Sequence, residues 1–223
     1  MDIKKLIHCI RKDVLILLAA GGIVLYQTAP DIVACIRPAI SFQDMLDGEE
    51  VKPGSRIAGN VVYSFDSFAT ESTYTRYSDG SRSGSRKSGK YYLLPMADGF
   101  IGLKCRQVDV AAMDQLTDET YEILMSSDSG AKATTEIYTQ GIVREMDKEI
   151  AGLYQRYWED NGFTQEDIEA LGTPLLIEYL SFNAVRIGFA IGVLMILIAV
   201  FIVFVRYRKA YEGSGLRRAE DLP

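Results

Sequence analysis

The sequence predicts an α+β fold, in which a small antiparallel β-barrel or sheet of the OB type, with flanking helices, lies between two transmembrane helices. Two observations predict it. Uncharged apolar stretches occupy residues 14–26 and 187–205 of the 223-residue chain. Between them, short β-like segments separated by turn residues give way to segments with helical periodicity. The chain therefore divides into two membrane segments and one domain.

The second apolar stretch predicts a transmembrane helix over residues 184–205. Residues 187–205 form 19 consecutive positions without a charge. This length is close to the roughly 20 residues that cross the hydrocarbon core of a bilayer at about 1.5 Å per residue. A helix on the surface of a soluble domain would show a polar stripe over that length, and this stretch shows none.

The first apolar stretch is shorter and has two interpretations. Residues 14–29 are apolar or uncharged before Pro30 and Asp31 interrupt them. A basic start followed by an apolar run is typical of an uncleaved signal anchor and also of a cleaved signal peptide. Cleavage after Ala29 would place Gln27 at the −3 position, where small residues are preferred. We therefore interpret residues 14–29 as a signal anchor.

Basic residues beside the two apolar stretches predict the orientation. They precede the first stretch and follow the second: Lys4, Lys5, Arg11, Lys12, Arg206, Arg208, Lys209, Arg217 and Arg218. The inner flanks of the two stretches have only Arg37 and Arg186. Because Lys and Arg are retained on the cytoplasmic side, residues 1–13 and the basic tail 206–223 should lie in the cytoplasm. We expect a protein of the cell membrane with residues 30–183 outside the cytoplasm.

The charge of the predicted external domain limits its partners. Residues 30–183 contain 14 basic and 25 acidic residues. Such an acidic domain disfavours nucleic acid or anionic lipid headgroups as the main partner of the whole surface. The simplest interpretation is that the acidic surface keeps an exported domain soluble.

Five segments of the domain have strand-like composition. Residues 100–106 follow a strand-like stretch across Asp98-Gly99, which is a hairpin signal because both positions of such a turn favour positive φ. The predicted strands are residues 56–65, 68–76, 90–96, 100–106 and 134–143.

Helical periodicity or capping residues mark the remaining segments. Ser41 with Asp44, and Thr164 with Asp167, have the spacing of a capping box. The predicted helices are residues 41–47, 108–125, 144–160 and 164–173. Because one helix precedes the last predicted strand and another trails it, the order favours an OB-like barrel.

The layout and one hairpin resemble a known class of membrane proteins. The hairpin consists of residues 91–95 (YYLLP) and 101–104 (IGLK). With two apolar segments around a single external domain, the chain resembles uncharacterised two-pass membrane proteins of Gram-positive bacteria. The resemblance implies the architecture and implies no catalytic motif or activity.

Histidine usage argues against an enzyme. The one histidine, His8, falls on the predicted cytoplasmic flank. The domain therefore offers no imidazole for a Ser–His or Cys–His arrangement or for a zinc site with histidine ligands. We expect no catalysis, no cofactor and no bound metal. Neighbouring carboxylates keep an alternative open, an enzyme acting on an envelope polysaccharide, or a calcium site: Glu49, Glu50, Asp118, Glu119, Glu122, Glu159 and Asp160.

A basic stretch, residues 84–91 (GSRKSGKY), has the glycine and lysine spacing of a phosphate-binding loop. Tyr91 stands where that motif needs Ser or Thr for Mg²⁺, and a strand follows where the motif needs a helix. We predict instead a basic hairpin loop that contacts an anionic neighbour. Its candidate residues are Arg82, Arg86, Lys87 and Lys90.

Tyrosines on the predicted sheet have two interpretations. They could stack against sugars or bases on a barrel face, or they could pack in the core and across strands. The tyrosines concerned are Tyr63, Tyr74, Tyr77, Tyr91 and Tyr92.

Small residues in both apolar stretches predict close helix packing. They are Gly21, Gly22, Gly188 and Gly192. Such residues let helix backbones approach, within the chain, in a homo-oligomer or with a protein partner. Cys35 and Cys105 would both lie outside the cytoplasm, where a disulfide could join them.

These features predict a membrane-anchored extracytoplasmic binding or interaction module, or an accessory subunit of a membrane or cell-envelope complex. The alternative is the polysaccharide enzyme with paired carboxylates.

Overall fold

The computed structural model describes residues 11–126 and 132–220, with side chains described up to residue 209. The described elements are, in chain order, α1 (Lys12–Ile36), β1 (Ala39–Ile40), α2 (Phe42–Leu46), β2 (Arg56–Asn60), β3 (Asp66–Thr73), β4 (Arg86–Met96), β5 (Gly99–Arg106), a 3₁₀ turn (Gln107–Asp109), α3 (Val110–Met125), β6 (Tyr138–Glu145), α4 (Lys148–Asp160), α5 (Gln165–Ala170), β7 (Leu175–Tyr179) and α6 (Phe182–Glu220). They form two compact units, a helical unit with α1 and α6 and a sheet domain, Arg37–Ser181.

The helical unit consists of two helices that are long and apolar enough to cross a membrane. These are Lys12–Ile36 with 25 residues and Phe182–Lys209 with 28. The first helix continues through Pro30, where the sequence predicted its end. A proline removes one intrahelical hydrogen bond, and apolar membrane helices tolerate this when other groups satisfy the backbone.

Three of the four predicted small residues lie in the contact between α1 and α6. A Cβ atom on Gly21 would lie 3.1 Å from the carbonyl oxygen of Gly192, and a Cβ on Gly188 would lie 3.4 Å from Cγ2 of Thr28. Gly22 does not face α6, because no other atom of the described residues lies within 4 Å of its Cβ direction, so its packing against another chain stays a prediction. Gly21 and Gly22 point about 100° apart around a helix, so only one of two adjacent glycines can face the partner helix.

Polar contacts also join these two helices. Arg206 donates two hydrogen bonds to the carboxylate of Asp13, at 3.2 and 2.5 Å. At the other end, Nη2 of Arg186 donates to the carbonyl oxygen of Cys35 at 3.4 Å. Small-residue packing and these bonds therefore hold α1 against α6 along their length.

The sheet domain contains an open seven-stranded mixed sheet in the order β1-β2-β6-β7-β5-β4-β3. β1 is parallel to β2 and β5 is parallel to β7, and the other neighbours are antiparallel. The α+β class is confirmed, but the OB-like barrel was wrong. β1 and β3 lie at opposite edges and do not pair, so the sheet does not close.

The error in topology comes from β7. Its five residues, Leu175–Tyr179, insert between β6 and β5 as a central strand. The sequence prediction assigned no strand between the helix that ends at residue 173 and the membrane segment that begins at residue 184. A parallel β5–β7 pair also needs a long crossover, which α3, β6, α4 and α5 supply.

Both faces of the sheet bury apolar side chains. On one face, Tyr92 and Leu94 pack with Met113 and Leu116 of α3. On the other face, the alternate residues of β4, with Leu93 as an example, pack with α4 and α5 in a second cluster. Because both faces are covered, the second half of β4 has a continuous apolar sequence instead of an alternating one.

The predicted capping boxes are present. Asp44 N donates to Ser41 Oγ at 3.1 Å, and Ser41 N donates back to the Asp44 carboxylate at 2.9 Å. Thr164 and Asp167 make the same reciprocal pair at the start of α5. The longer predicted helix from residue 144 begins later, at Lys148, because β6 continues to Glu145 and Asp147 caps α4.

Candidate binding surface

The connection between β3 and β4 is an ordered two-stranded ribbon, which we call the hairpin arm (residues 73–87). Thr73 pairs with Arg86 at its base. Beyond that pair, Ser83 N donates to the carbonyl oxygen of Thr75 at 2.8 Å, and Tyr77 N donates to that of Ser81 at 2.9 Å. Gly80 closes the turn with φ of +83°, a conformation that favours glycine. The predicted hairpin is confirmed, and its ladder extends beyond the sheet.

The phosphate-loop spacing does not form a phosphate loop. Arg86 begins β4, so Gly89 and Lys90 belong to an extended strand. A Cβ on Gly89 would lie 2.5 Å from the carbonyl oxygen of Cys105 on the neighbouring strand. The glycine therefore allows β4 and β5 to approach each other closely. This agrees with the strand that the sequence predicted over residues 90–96.

Lys90 does not belong to the arm, contrary to the sequence prediction. Its Nζ lies 2.9 and 3.1 Å from the two carboxylate oxygens of Asp114 on α3. The hydroxyl of Tyr92 donates to the same carboxylate at 2.6 Å. Burial opposes ionisation of Asp114, but these two donors outweigh it and lower its pKa. Lys90 is thus one partner in a structural ion pair.

The other basic residues of the arm are exposed: Arg76, Arg82, Arg86 and Lys87. Within the described residues, none of these four has a carboxylate oxygen within 4 Å, whereas five other cations of the sheet domain do. Lys52, Lys90, Lys104, Arg106 and Arg144 each form an ion pair. The sequence prediction did not include Arg76, which ends a predicted strand, although its alternation with Tyr74 places both side chains on one side of that strand.

Two tyrosines lie on the arm, and two others lie in the core. Tyr74 and Tyr77 are 52% and 53% exposed. The guanidinium carbon of Arg82 lies 4.8 Å from the centre of the Tyr74 ring, a cation–π contact. Tyr91 and Tyr92 are buried on opposite faces of the sheet, which confirms the core interpretation for this pair.

The arm borders an open cleft of about 590 Å³. Tyr74, Tyr77 and Arg86 line it together with Ser83 and Ser85. Aromatic faces, hydroxyl groups and a guanidinium thus meet around one space. This combination can hydrogen-bond a polar ligand, stack against its carbon framework and neutralise a negative charge.

A second cleft, of about 420 Å³, lies near the turn between β4 and β5. Four carboxylates line it, those of Glu49, Glu50, Asp98 and Glu145. Lys52 lies 3.2 Å from Glu50 in the same cleft. Among the described residues, no group of three or more His, Cys, Asp or Glu side chains is arranged to hold a metal ion.

Two members of the other predicted carboxylate pairs, Glu119 and Glu159, make structural contacts. Glu119 accepts hydrogen bonds from the side chains and backbone N–H groups of Thr134 and Thr135, at 2.7 to 2.9 Å. Those donors, Thr135 foremost, lower the pKa of Glu119 to about 2. Glu159 accepts a bond from Gln155 at 2.8 Å. These hydrogen bonds therefore hold the segment that precedes β6 against α3.

Neither predicted cysteine takes part in a disulfide in the structure. Cys35 is buried in α1, and Cys105 is buried in the core of the sheet domain. Burial raises the pKa of the Cys105 thiol to about 12. His8 lies outside the described residues.

A profile of the family described as a domain of unknown function (DUF8577) matches residues 3–207. The chain belongs to this family. The match takes in both apolar helices and the sheet domain, so the two units occur together in the family. No curated protein and no solved structure matches the chain significantly.

Proposed function

We propose that this member of the DUF8577 family is a membrane-anchored binding module. Its sheet domain lies outside the cytoplasm and holds a ligand with the hairpin arm, and it does so without catalysing a reaction. The observation that carries the proposal is the arm itself: four exposed cations without carboxylate partners in the described residues, beside two half-exposed tyrosines. Five cations elsewhere in the sheet domain form ion pairs, whereas within the described residues none of these four does.

The helical unit supports the anchoring role. α1 and α6 use Gly21, Gly188 and Gly192 to pack against each other. The pair forms one anchor, whose outer apolar side chains would meet lipid or a further protein. The excess of Lys and Arg at both chain ends supports cytoplasmic termini and an external sheet domain. The resemblance to two-pass membrane proteins of Gram-positive bacteria supports the same placement.

The placement is tested by cysteine labelling in intact cells. Ser81→Cys, on the arm, should react with a membrane-impermeant maleimide before lysis. Ser214→Cys, in the predicted cytoplasmic tail, should react only after lysis. Labelling of Ser81→Cys that requires lysis would overturn the external placement.

The binding role is tested by photo-crosslinking. A photoreactive amino acid at Tyr77 should give ultraviolet-dependent adducts in intact cells. These adducts should disappear when Arg76, Arg82 and Arg86 are replaced by serine. The matched control carries the photoreactive group at Tyr121, which is 61% exposed on α3, and should give no adduct of that kind. Adducts from Tyr77 that survive the triple replacement would contradict a role for the arm.

A further inference from the structure

We infer that the ligand of the hairpin arm is a linear anionic polymer in which phosphodiesters link polyol or sugar units. This inference rests on the proposed binding function and names the chemistry of its ligand. Three features of the arm carry it: the arrangement of its cations, the polar and aromatic groups between them, and the chemistry of its tip.

The cations are arranged to take phosphate groups. Arg76 and Arg82 lie directly opposite each other in the ribbon. Directly opposite side chains of an antiparallel pair have Cβ atoms about 5 Å apart, and like charges there destabilise the ribbon. A phosphodiester placed between two guanidinium groups would remove this repulsion, because each guanidinium can donate two parallel hydrogen bonds to phosphate oxygens.

The length of the charged row favours a polymer over a single phosphate. Arg86 follows Arg82 by four residues, which corresponds to roughly 13 Å along an extended strand. One phosphate cannot reach both ends of such a row. A chain with repeating phosphates can contact the Arg76–Arg82 pair with one group, and Arg86 or Lys87 with another.

The groups between the charges fit the uncharged part of such a chain. Ser85 brings a hydroxyl group to the cleft, and Tyr74 and Tyr77 bring aromatic faces, whereas the hydroxyl of Ser83 already bonds to the backbone of Thr75 and Gly84. The Ser85 hydroxyl can exchange hydrogen bonds with those of a polyol or sugar, while the tyrosine faces pack against its carbon atoms. Arg82 already lies over Tyr74, so the ring also orients one of the cations.

The tip of the arm argues against a lipid surface. It consists of Ser78, Asp79, Gly80 and Ser81, with no apolar side chain to enter a bilayer. The carboxylate of Asp79 accepts bonds from both the N–H and the hydroxyl of Ser81, at 2.9 and 2.7 Å. A fixed negative charge at the tip would meet anionic headgroups first and repel them.

The surrounding charge argues for a thin chain. The arm has four basic residues and one acidic residue, whereas the rest of Arg37–Ser181 has ten basic and 23 acidic residues. A nucleic acid duplex, with its dense charge and large diameter, would face this acidic surface over most of its contact. A single polymer chain that follows the arm avoids it.

The test uses the full chain in an uncharged detergent and purified poly(glycerol phosphate) as the probe. Binding should be detectable in 50 mM salt and weaken with added salt, because bound phosphates release counterions. The triple replacement of Arg76, Arg82 and Arg86 by serine should weaken binding at least tenfold. The matched control replaces Lys132, Lys148 and Arg156 by serine, which removes the same charge from exposed positions elsewhere and should leave binding within twofold.

A second variant separates polymer recognition from charge alone. Tyr74→Ala with Tyr77→Ala should weaken binding of poly(glycerol phosphate) about fivefold and leave inorganic polyphosphate unaffected, because polyphosphate has no carbon framework to pack on the rings. If the variant lost the same affinity for both polymers, recognition of the polyol units would be contradicted. Circular dichroism of each variant should match that of the parent chain.

Three competing ligands test whether the arm distinguishes the polymer from a lipid surface, a single phosphate or a nucleic acid. Vesicles of phosphatidylglycerol, free glycerol 3-phosphate and single-stranded DNA should each bind at least tenfold more weakly than poly(glycerol phosphate) at equal phosphate concentration. Any of them that equals the polymer would overturn the assignment. If crosslinking from Tyr77 persists in cells while the polymer fails to bind, the ligand class is wrong and the binding module stands. If both fail, both proposals fall.

Discussion

Arg76 and Arg82 face each other across the hairpin arm, and neither forms an ion pair within 4 Å with a carboxylate of the described residues. Like charges in directly opposite positions cost an antiparallel ribbon up to about 1 kcal/mol. The arm therefore keeps a local instability at the position where the proposed ligand would sit, as binding sites often do.

Arg76→Glu should stabilise the free arm while abolishing its binding. The substitution turns a repulsive pair into an attractive one, so the arm should open less often. The amide protons of Tyr77 and Ser83, which close the ribbon, should exchange with solvent up to about fivefold more slowly. Hydrogen exchange by NMR or mass spectrometry measures this. Lys148→Glu, which changes the charge equally on α4, should leave the exchange of these amides unchanged, and faster exchange in Arg76→Glu would contradict the argument.

Asp114→Ala should destabilise the sheet domain by about 2 to 3 kcal/mol. The carboxylate accepts bonds from Lys90 and from the fully buried Tyr92, and its removal leaves a buried hydroxyl with only a weak 3.3 Å contact to Val110. A buried donor that loses its partner costs about 1 to 3 kcal/mol, more when a charge is involved. Urea unfolding of the full chain should show the change.

The control for this pair is Asp118→Ala, an exposed aspartate on the same helix, which should change stability by less than about 0.5 kcal/mol. Lys90→Ala should leave binding of an anionic polymer intact, because Lys90 faces α3 and not the cleft of the arm. A tenfold loss of binding in Lys90→Ala would show that this lysine does belong to the binding surface.

Glu119 should make the stability of the domain depend on acid pH. Its folded pKa of about 2 lies below the roughly 4.3 of an unfolded glutamate. A depressed pKa contributes stability above the unfolded value, and that contribution disappears as the pH falls from about 4 towards 2. Glu119→Gln should therefore be less stable than the parent at pH 7, with the difference narrowing towards pH 2. Thermal unfolding across this range measures it, and a difference that stays constant with pH would contradict the assignment.

Local features of the sheet domain could be predicted from sequence, and its topology could not. The capping pairs at Ser41 and Thr164 are set by residues three positions apart, so the pattern alone is sufficient. Most of β4 and all of β5 follow from composition and from the Asp98-Gly99 turn. The position of β7 depends on pairing with distant segments: Ile177 pairs with Leu103 of β5, 74 residues earlier, and Leu175 pairs with Glu145 of β6, 30 residues earlier. No local signal encodes such partners.

For the binding surface too, the sequence located most of the basic residues but did not show which of them form ion pairs. Arg82, Arg86 and Lys87 could be located because they lie in a segment rich in Gly and Ser. Lys90 could not be separated from them, since its partner Asp114 lies 24 residues away on a helix. Arg76 was hidden because the arm continues the strand ladder past the point where the sheet ends. Local charge density is visible in a sequence, whereas charge pairing across the fold is not.

Gly192→Leu should separate the two apolar helices, and Gly22→Leu should not. A Cβ at Gly192 already lies 2.9 Å from Cδ2 of Leu25, whereas one at Gly22 meets no other atom within 4 Å. Small residues are what allow membrane helices to approach this closely. A disulfide crosslink between cysteines placed in α1 and α6 should form readily in the parent and in Gly22→Leu and should be lost in Gly192→Leu. Equal crosslinking in all three would contradict the packing.

Gly141→Ala should prevent stable folding of the sheet domain, although it adds one methyl group. Gly141 lies in β6 opposite Tyr179 of β7, and its Cβ would overlap the backbone carbonyl of Glu178. That carbonyl belongs to a central strand and cannot move without breaking the ladders on both sides of β7, so the strain cannot be relieved by a side-chain rotation.

The matched control is Gly152→Ala in the middle of α4, where no atom lies within 4 Å of the added methyl group. Alanine is favoured over glycine inside a helix by about 0.5 to 1 kcal/mol, so this variant should be more stable than the parent. Urea unfolding followed by the fluorescence of Trp158, a buried residue of α4 whose ring contacts Phe100 of β5, distinguishes the two. A cooperative transition at the parent midpoint in Gly141→Ala would show that β7 does not hold its central place in the sheet.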